Sequence, residues 1–252
     1  MVDDNLDLYL FNPFSTAVVP LPPFRNDFIS EPIPRPYGSL VYFVWKAVWF
    51  AEPTDPNCII ALLYQWDYTR DMETGVVYYK WGDARWTVLE TSLESVDNVV
   101  FFNENLYLVD RWGGVKEIDL HQGREITMET WLKGYKYLGA GPSGPLLVAK
   151  HMKACEVRPF ELFELDRTLK KWVETKSLDE GMFFLGMNTL IWLSSSNLKG
   201  CKGNSIYFIY YNMNDRRKDL CIFNLEDGSF GTICGIDEKL LYNGYEWVVP
   251  IP

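Results

Sequence analysis

The chain has 252 residues, of which 48 % are hydrophobic, 16 % aromatic and 23 % charged, so it carries enough apolar surface to offset chain entropy and disorder is excluded for most of its length. A formal charge of -10 argues against a nucleic-acid partner, because phosphate binding relies on clustered Lys and Arg that displace counterions. The one basic run, Arg216, Arg217 and Lys218, reads as a solvated turn.

The acidic, polar start, residues 1–7, lacks the basic and apolar regions of a secretory signal. The longest apolar stretch, residues 40–51, is interrupted by Lys46 and falls short of the roughly twenty residues that span a bilayer. No export and no membrane segment are expected, and the chain is placed in the cytoplasm or nucleus. Cys58, Cys155, Cys201, Cys221 and Cys234 are widely spaced with no Cys-x-x-Cys pair, which fits reduced thiols.

In chain order, a unit of two short alternating strands joined by a tight polar turn recurs five times. Residues 8–14 turn into 17–21, and 76–81 turn at Gly82-Asp83 into 85–89. Residues 114–120 turn at His121-Gln122-Gly123 into 125–128, and 160–165 turn into 171–174. The fifth, 220–225, turns at Glu226-Asp227-Gly228 into 230–233; Asp-Gly is a strong hairpin signal because Gly takes positive φ without a Cβ clash.

Between these hairpins lie further strand pairs: 40–50 with 59–65, 99–102 with 106–109, 135–138 with 146–150, and 182–185 with 190–193, followed by a strand at 205–211. Each hairpin therefore reads as the outer half of a four-stranded sheet. Turn centres at residues 15, 83, 122, 167 and 227 lie 68, 39, 45 and 60 residues apart, and the middle two spacings fit propeller blades of roughly 40 to 50 residues. The longer gaps hold apparent insertions at 24–38 and 194–203.

The expected fold is all-β, a kelch-like β-propeller of four blades plus a partial N-terminal blade, forming one domain over residues 1–252. Half a blade at the start leaves an unfinished ring unless the tail, residues 246–251, closes it. The ten Trp, fifteen Tyr and fifteen Phe suit facing blades, with Trp86, Trp172 and Trp192 as core candidates.

A more specific pattern lies in the C-terminal third: Phe184-Leu185-Gly186-Met187-Asn188, then Ser194, then Leu198-Lys199-Gly200-Cys201-Lys202-Gly203-Asn204-Ser205-Ile206-Tyr207-Phe208. With Leu10-Phe11-Asn12-Pro13-Phe14, Leu21-Pro22-Pro23, Phe223-Asn224-Leu225-Glu226-Asp227-Gly228-Ser229 and Trp247-Val248-Val249-Pro250, it resembles the KIB-type β-propeller of plant F-box proteins over nearly the whole chain. The resemblance implies a substrate-recognition role in an SCF-type ubiquitin ligase, where an N-terminal F-box docks a Skp-type adaptor and the propeller holds the protein to be ubiquitinated. Here the strand at residues 8–14 begins almost at once. The F-box and part of the first blade are therefore expected to be missing, which leaves adaptor binding in question; a truncated paralogue that competes for a partner, or a scaffold with no ligase link, is the alternative.

No catalytic, metal or cofactor residue is nominated, no cofactor is expected, and the chain is not read as an enzyme. His121 and His151 stand apart from Cys and from paired carboxylates. Gly139, Gly141 and Gly144 form a Gly-Ala-Gly-Pro-Ser-Gly turn without a P-loop ending, and Pro142 and Pro145 lack N–H groups. Glu90, Glu94 and Asp97, and Asp71 with Glu73, read as solvated faces rather than a hydrolytic pair. The segment 194–200 is the one candidate binding loop, with a plain linker as the equal alternative; the bound protein and the binding face stay open.

Overall fold

The computed structural model describes residues 8–12, 14–23, 43–65, 74–93, 95–128, 135–153, 156–186, 189–212 and 217–236. Asp71, Glu73, Glu94, Cys155, Arg216, the insertion at 24–38 and the tail at 246–251 lie outside them.

A two-stranded hairpin, β1 (Tyr9–Phe11) and β2 (Val18–Pro20), leads four larger sheets. Sheet one is β3 (Phe43–Phe50), β4 (Ile59–Gln65), β5 (Thr74–Lys80) and β6 (Thr87–Val88). Sheet two is β7 (Val96–Phe102), β8 (Asn105–Asp110), β9 (Val115–Asp119) and β10 (Arg124–Met128). Sheet three is β11 (Tyr135–Ala140), β12 (Pro145–Lys153), β13 (Glu156–Asp166) and β14 (Lys171–Thr175). Each of the three is a meander in which neighbours in sequence are neighbours in the sheet, the strand order of propeller blades. The expected leading hairpin and four blades are present.

Sheet four departs from the expected blade. It holds β15 (Gly181–Leu185), β16 (Leu190–Ser194), β17 (Ser205–Asn212), β18 (Arg217–Asn224) and β19 (Phe230–Ile236), the five strands expected there, but in the order β16-β15-β17-β18-β19 rather than as a four-stranded meander. β15 pairs β17 in parallel, Met182 opposite Ser205 through Leu185 opposite Phe208. Parallel neighbours require a crossover, and residues 186–204, with β16 inside them, supply it. Going outward, β17, β18 and β19 therefore run opposite to β12, β13 and β14 of sheet three when each sheet is set by its first strand.

The chain forms two compact units, residues 1–96 with 250–252, and residues 97–249. In the first, every residue of β4 is buried, as a central strand covered on both faces must be. Ile60, Leu62 and Tyr64 meet Val77, Tyr79, Trp86 and the hairpin's Leu8. Trp86 is 1 % exposed, and its indole N–H donates to the Pro22 carbonyl at 2.8 Å, so a large apolar ring is buried with its one donor satisfied.

In the second unit the two-residue period of a strand divides sheet three between two neighbours. Leu138, Leu147, Leu165 and Trp172 pack with Tyr107, Val109, Val115 and Met128 of sheet two. Leu146, Val148, Phe160 and Leu162 pack with Phe183, Leu185, Ile206, Phe208 and Phe223 of sheet four. Burial of each such side chain stabilises by roughly 1.5 to 3 kcal/mol. Trp172 joins the core as expected, whereas Trp192 is half-buried and lies over Gly181, where an added methyl would sit 2.3 Å from the indole nitrogen.

Four of the five hairpins close on one motif. Asn12 Oδ1 accepts the N–H of Phe14 and Ser15 at 2.9 and 3.1 Å, and Asp119 Oδ1 those of His121 and Gln122, both at 2.9 Å. Asp166 Oδ1 accepts from Thr168 and Leu169, both at 2.8 Å, and Asn224 Oδ1 from Glu226 and Asp227 at 2.8 and 3.4 Å. Four residues after each stands a left-handed residue: Thr16 (φ 58°), Gly123 (64°), Lys170 (52°) and Gly228 (69°). An Asp or Asn side chain mimics the turn's own carbonyl, which explains the recurrence at equivalent sites.

Candidate functional site

The crossover of sheet four carries a hydrogen-bonded turn in its described part, residues 189–204. Ser194, ending β16, accepts the N–H of Ser196 at 3.4 Å and its Oγ meets that of Ser196 at 2.8 Å, opening a 3-10 turn over Ser195–Asn197. Leu198 and Cys201 turn inward against Met182, Phe184 and Tyr207, with the Phe184 and Tyr207 rings stacked at 4.9 Å. Lys202 N–H donates to Tyr207 Oη at 2.6 Å. Burial pushes the Tyr207 phenol up, and the hydrogen bond from Lys202 opposes that rise.

Asn204 ties the crossover to two other segments. Held at φ 51°, its N–H donates to Gly181 O at 2.6 Å, its Oδ1 accepts Leu178 N–H at 2.9 Å and its carbonyl accepts Leu225 N–H at 2.9 Å. Because β17 runs parallel to β15, the crossover shares one end of sheet four with the Asn224 turn. There Ser229 hydrogen bonds hold the Asp227 carboxyl below its ordinary range, with Lys202 adding to the effect. The outward side presents Ser196, Asn197, Lys199 and Lys202, all exposed. The segment 194–200 thus lies in a hydrogen-bonded turn packed on sheet four.

A second polar group joins sheets two and three. Buried Glu117 on β9 accepts Asn105 Nδ2–H at 2.8 Å and Arg167 Nε–H at 3.2 Å, and Arg167, from the Asp166 turn, also forms an ion pair with its other oxygen. Trp172 Nε1–H donates to Gly113 O at 3.2 Å, and Lys136 Nζ to Arg111 O at 2.5 Å. Burial, then the Glu117 charge, raises the nearby Tyr107 phenol well above its ordinary range. Glu117 and Arg167 are 50 residues apart with no spacing signal between them, so sequence alone offered no way to pair them.

The remaining candidates stay separate. His121 sits exposed at the tip of the Asp119 turn, and His151 lies on β12. Gly141 N–H is used within its own turn by Gly144 O at 2.9 Å, and a methyl on Gly139 would meet the Leu190 carbonyl at 2.8 Å, so these glycines serve close backbone approach. Desolvation raises the Asp97 carboxyl, and the charges of Arg111 and Lys136 oppose that rise. Among the described residues no group of three His, Cys, Asp or Glu could hold a metal ion, and no helix is long and apolar enough to cross a membrane.

Sheets one to three have the strand order of propeller blades. The family model of the KIB1-4 beta-propeller matches residues 1–224, and the chain belongs to that family. Among curated proteins of Arabidopsis thaliana, "Putative F-box protein At3g25750" is 27 % identical over 161 residues, 59 % of this chain and 44 % of that protein. "Putative F-box protein At5g55150" is 25 % identical over 223 residues, 81 % of this chain and 60 % of that protein. "F-box protein At2g17690" is 32 % identical over 74 residues, 29 % of this chain and 17 % of that protein. At 44 % and 60 % coverage, the chain spans about half the length of the first two relatives. The tricorn protease crystal structure aligns with a TM-score of 0.38 at 8 % identity, covering 91 % of this chain and 34 % of that one, and carries no argument here.

Proposed function

We propose that this chain is a protein-recognition propeller, the substrate-holding part of an F-box type SCF ubiquitin ligase. The observation that carries this is the family match across residues 1–224, together with relatives named as F-box proteins. The crossover platform of sheet four supports it, since recognition commonly sits on loops held by a rigid scaffold.

The test is capture of the tagged full chain by a purified Skp-type adaptor, with the At3g25750 relative as positive control, followed by competition between the chain and that relative for the relative's bound protein. Competition without adaptor capture supports recognition and leaves docking to another segment or subunit. Capture together with competition supports the complete ligase role. Failure of folded chain to compete overturns the shared-substrate reading and favours a scaffold outside the ligase.

A further inference from the structure

We propose that the Asp166 turn of sheet three is a docking point for a short acidic protein segment, an inference that deepens the recognition reading and rests on it. The turn carries Arg167, Lys170 and Lys171 around Leu169, which is 58 % exposed. Among the described residues neither the Lys170 nor the Lys171 ammonium has a hydrogen-bond or ion-pair partner. Over the same five positions the equivalent turns differ in character: Pro13-Phe14-Ser15-Thr16-Ala17 carries no Lys or Arg, Leu120-His121-Gln122-Gly123-Arg124 carries one, and Leu225-Glu226-Asp227-Gly228-Ser229 is acidic.

The backbone sharpens the point. Lys170 occupies at φ 52° the position that Gly123 and Gly228 fill in two of those turns and Thr16 in the third, where the Thr16 hydroxyl donates to the Ser15 carbonyl at 2.7 Å. A side chain with a Cβ is disfavoured there, whereas glycine is not. Strain kept at an exposed residue, with no internal contact that rewards it, points to a role for the side chain outside the fold.

Charge selects the partner. The chain as a whole is at -10, yet fields between exposed charges fade over about 8 Å at physiological salt. A short acidic segment seated on the tip meets the two lysines at close range, while a nucleic acid extends over many such lengths and meets the acidic remainder. Leu169 between the cations fits one apolar side chain of the segment, so the recognised pattern is an apolar residue flanked by Asp or Glu.

The experiment titrates a short fluorescent peptide of Glu and Ser with one central Leu into the full chain, beside its Lys-for-Glu counterpart and a single-stranded DNA several times longer. The acidic peptide is expected to bind and to weaken with added salt. K170G should reduce its affinity about two- to fivefold, K170G with K171A about tenfold, within the range for exposed ion pairs, and L169S should weaken it further. The decisive companion reading is stability: K170G should unfold at the same or a higher temperature than the unsubstituted chain, so its lost binding has no structural origin. Equal binding of the Lys peptide, indifference to K170G with K171A, preferential DNA binding lost on the same substitutions, or destabilisation by K170G would each overturn the assignment. If the chain competes for the relative's bound protein but ignores the acidic peptide, this inference falls and the recognition reading stands.

Discussion

Toward sheet two, sheet three presents aliphatic side chains and Trp172, and the contact is completed by the Arg167–Glu117 pair and by two side-chain bonds to main-chain carbonyls. Toward sheet four it presents Phe160 edge-on to Phe208 and Phe223, at 4.8 and 5.6 Å, in a cluster of apolar side chains. The aromatic contact gains its energy from area and ring geometry, so it should depend on volume and barely on salt. The polar contact contributes less net energy but fixes register, because a buried carboxylate tolerates only the placement that keeps its donors.

The largest expected effect comes from the aromatic side. Phe208→Ala should cost about 3 to 5 kcal/mol in denaturant unfolding, with little change on adding salt. A loss below about 1 kcal/mol would show that the second unit does not rely on this contact. Next is the polar side: Arg167→Met should cost about 1 to 3 kcal/mol, less than a fully buried pair because the guanidinium is half-exposed, and adding Glu117→Leu should recover part of the loss. A double-mutant cycle measures that recovery, and strict additivity would mean the two side chains do not interact.

Smaller effects should arise at the turns that flank these contacts. Asn224→Ala removes the acceptor for two exposed main-chain N–H groups and should cost about 0.5 to 1.5 kcal/mol, read from the midpoint of urea unfolding. The slightest is a pH effect at Asp119, whose carboxyl is held below its ordinary range first by the Gln122 N–H and further by that of His121. A depressed folded value gives stability that is present above the unfolded Asp value near 3.9 and lost as pH falls through the folded one. The stability difference between the chain and Asp119→Asn should therefore shrink on acidification below about pH 4, and a difference that grows there would contradict the hydrogen-bond origin.

Much of this fold was legible because hairpins announce themselves locally. Asp-Gly at 227–228, alternating apolar runs and the spacing of turn centres were enough to place the leading hairpin and four blades. The repeated Asp or Asn at 12, 119, 166 and 224 was also visible as a residue type, although its common role emerges only from the hydrogen bonds. The partner order of sheet four was only partly legible: residues 190–193 read as the partner of 182–185, and they are, but only tertiary packing chooses β17 as the other neighbour of β15. The loop at 194–200 stood out as an insertion in the long gap between turn centres, whereas its anchor Asn204 belonged to the family-like motif and carried no local sign that it bonds to residues 178, 181 and 225.

The parallel pairing of β15 with β17 also sets an order of events for folding. Sheets two and three can zip as local meanders as soon as their strands exist, because each strand's partner is its sequence neighbour. β15 must wait for β17 to be delivered across residues 186–204, and non-local pairing carries a loop-closure cost before it is rewarded. On a chain made from its N-terminus, sheet four is then the last of the second unit to consolidate, and the apolar face of sheet three that holds Phe160 stays uncovered longest. A conservative core substitution in β17 should accordingly leave the folding rate of the second unit nearly unchanged and accelerate its unfolding.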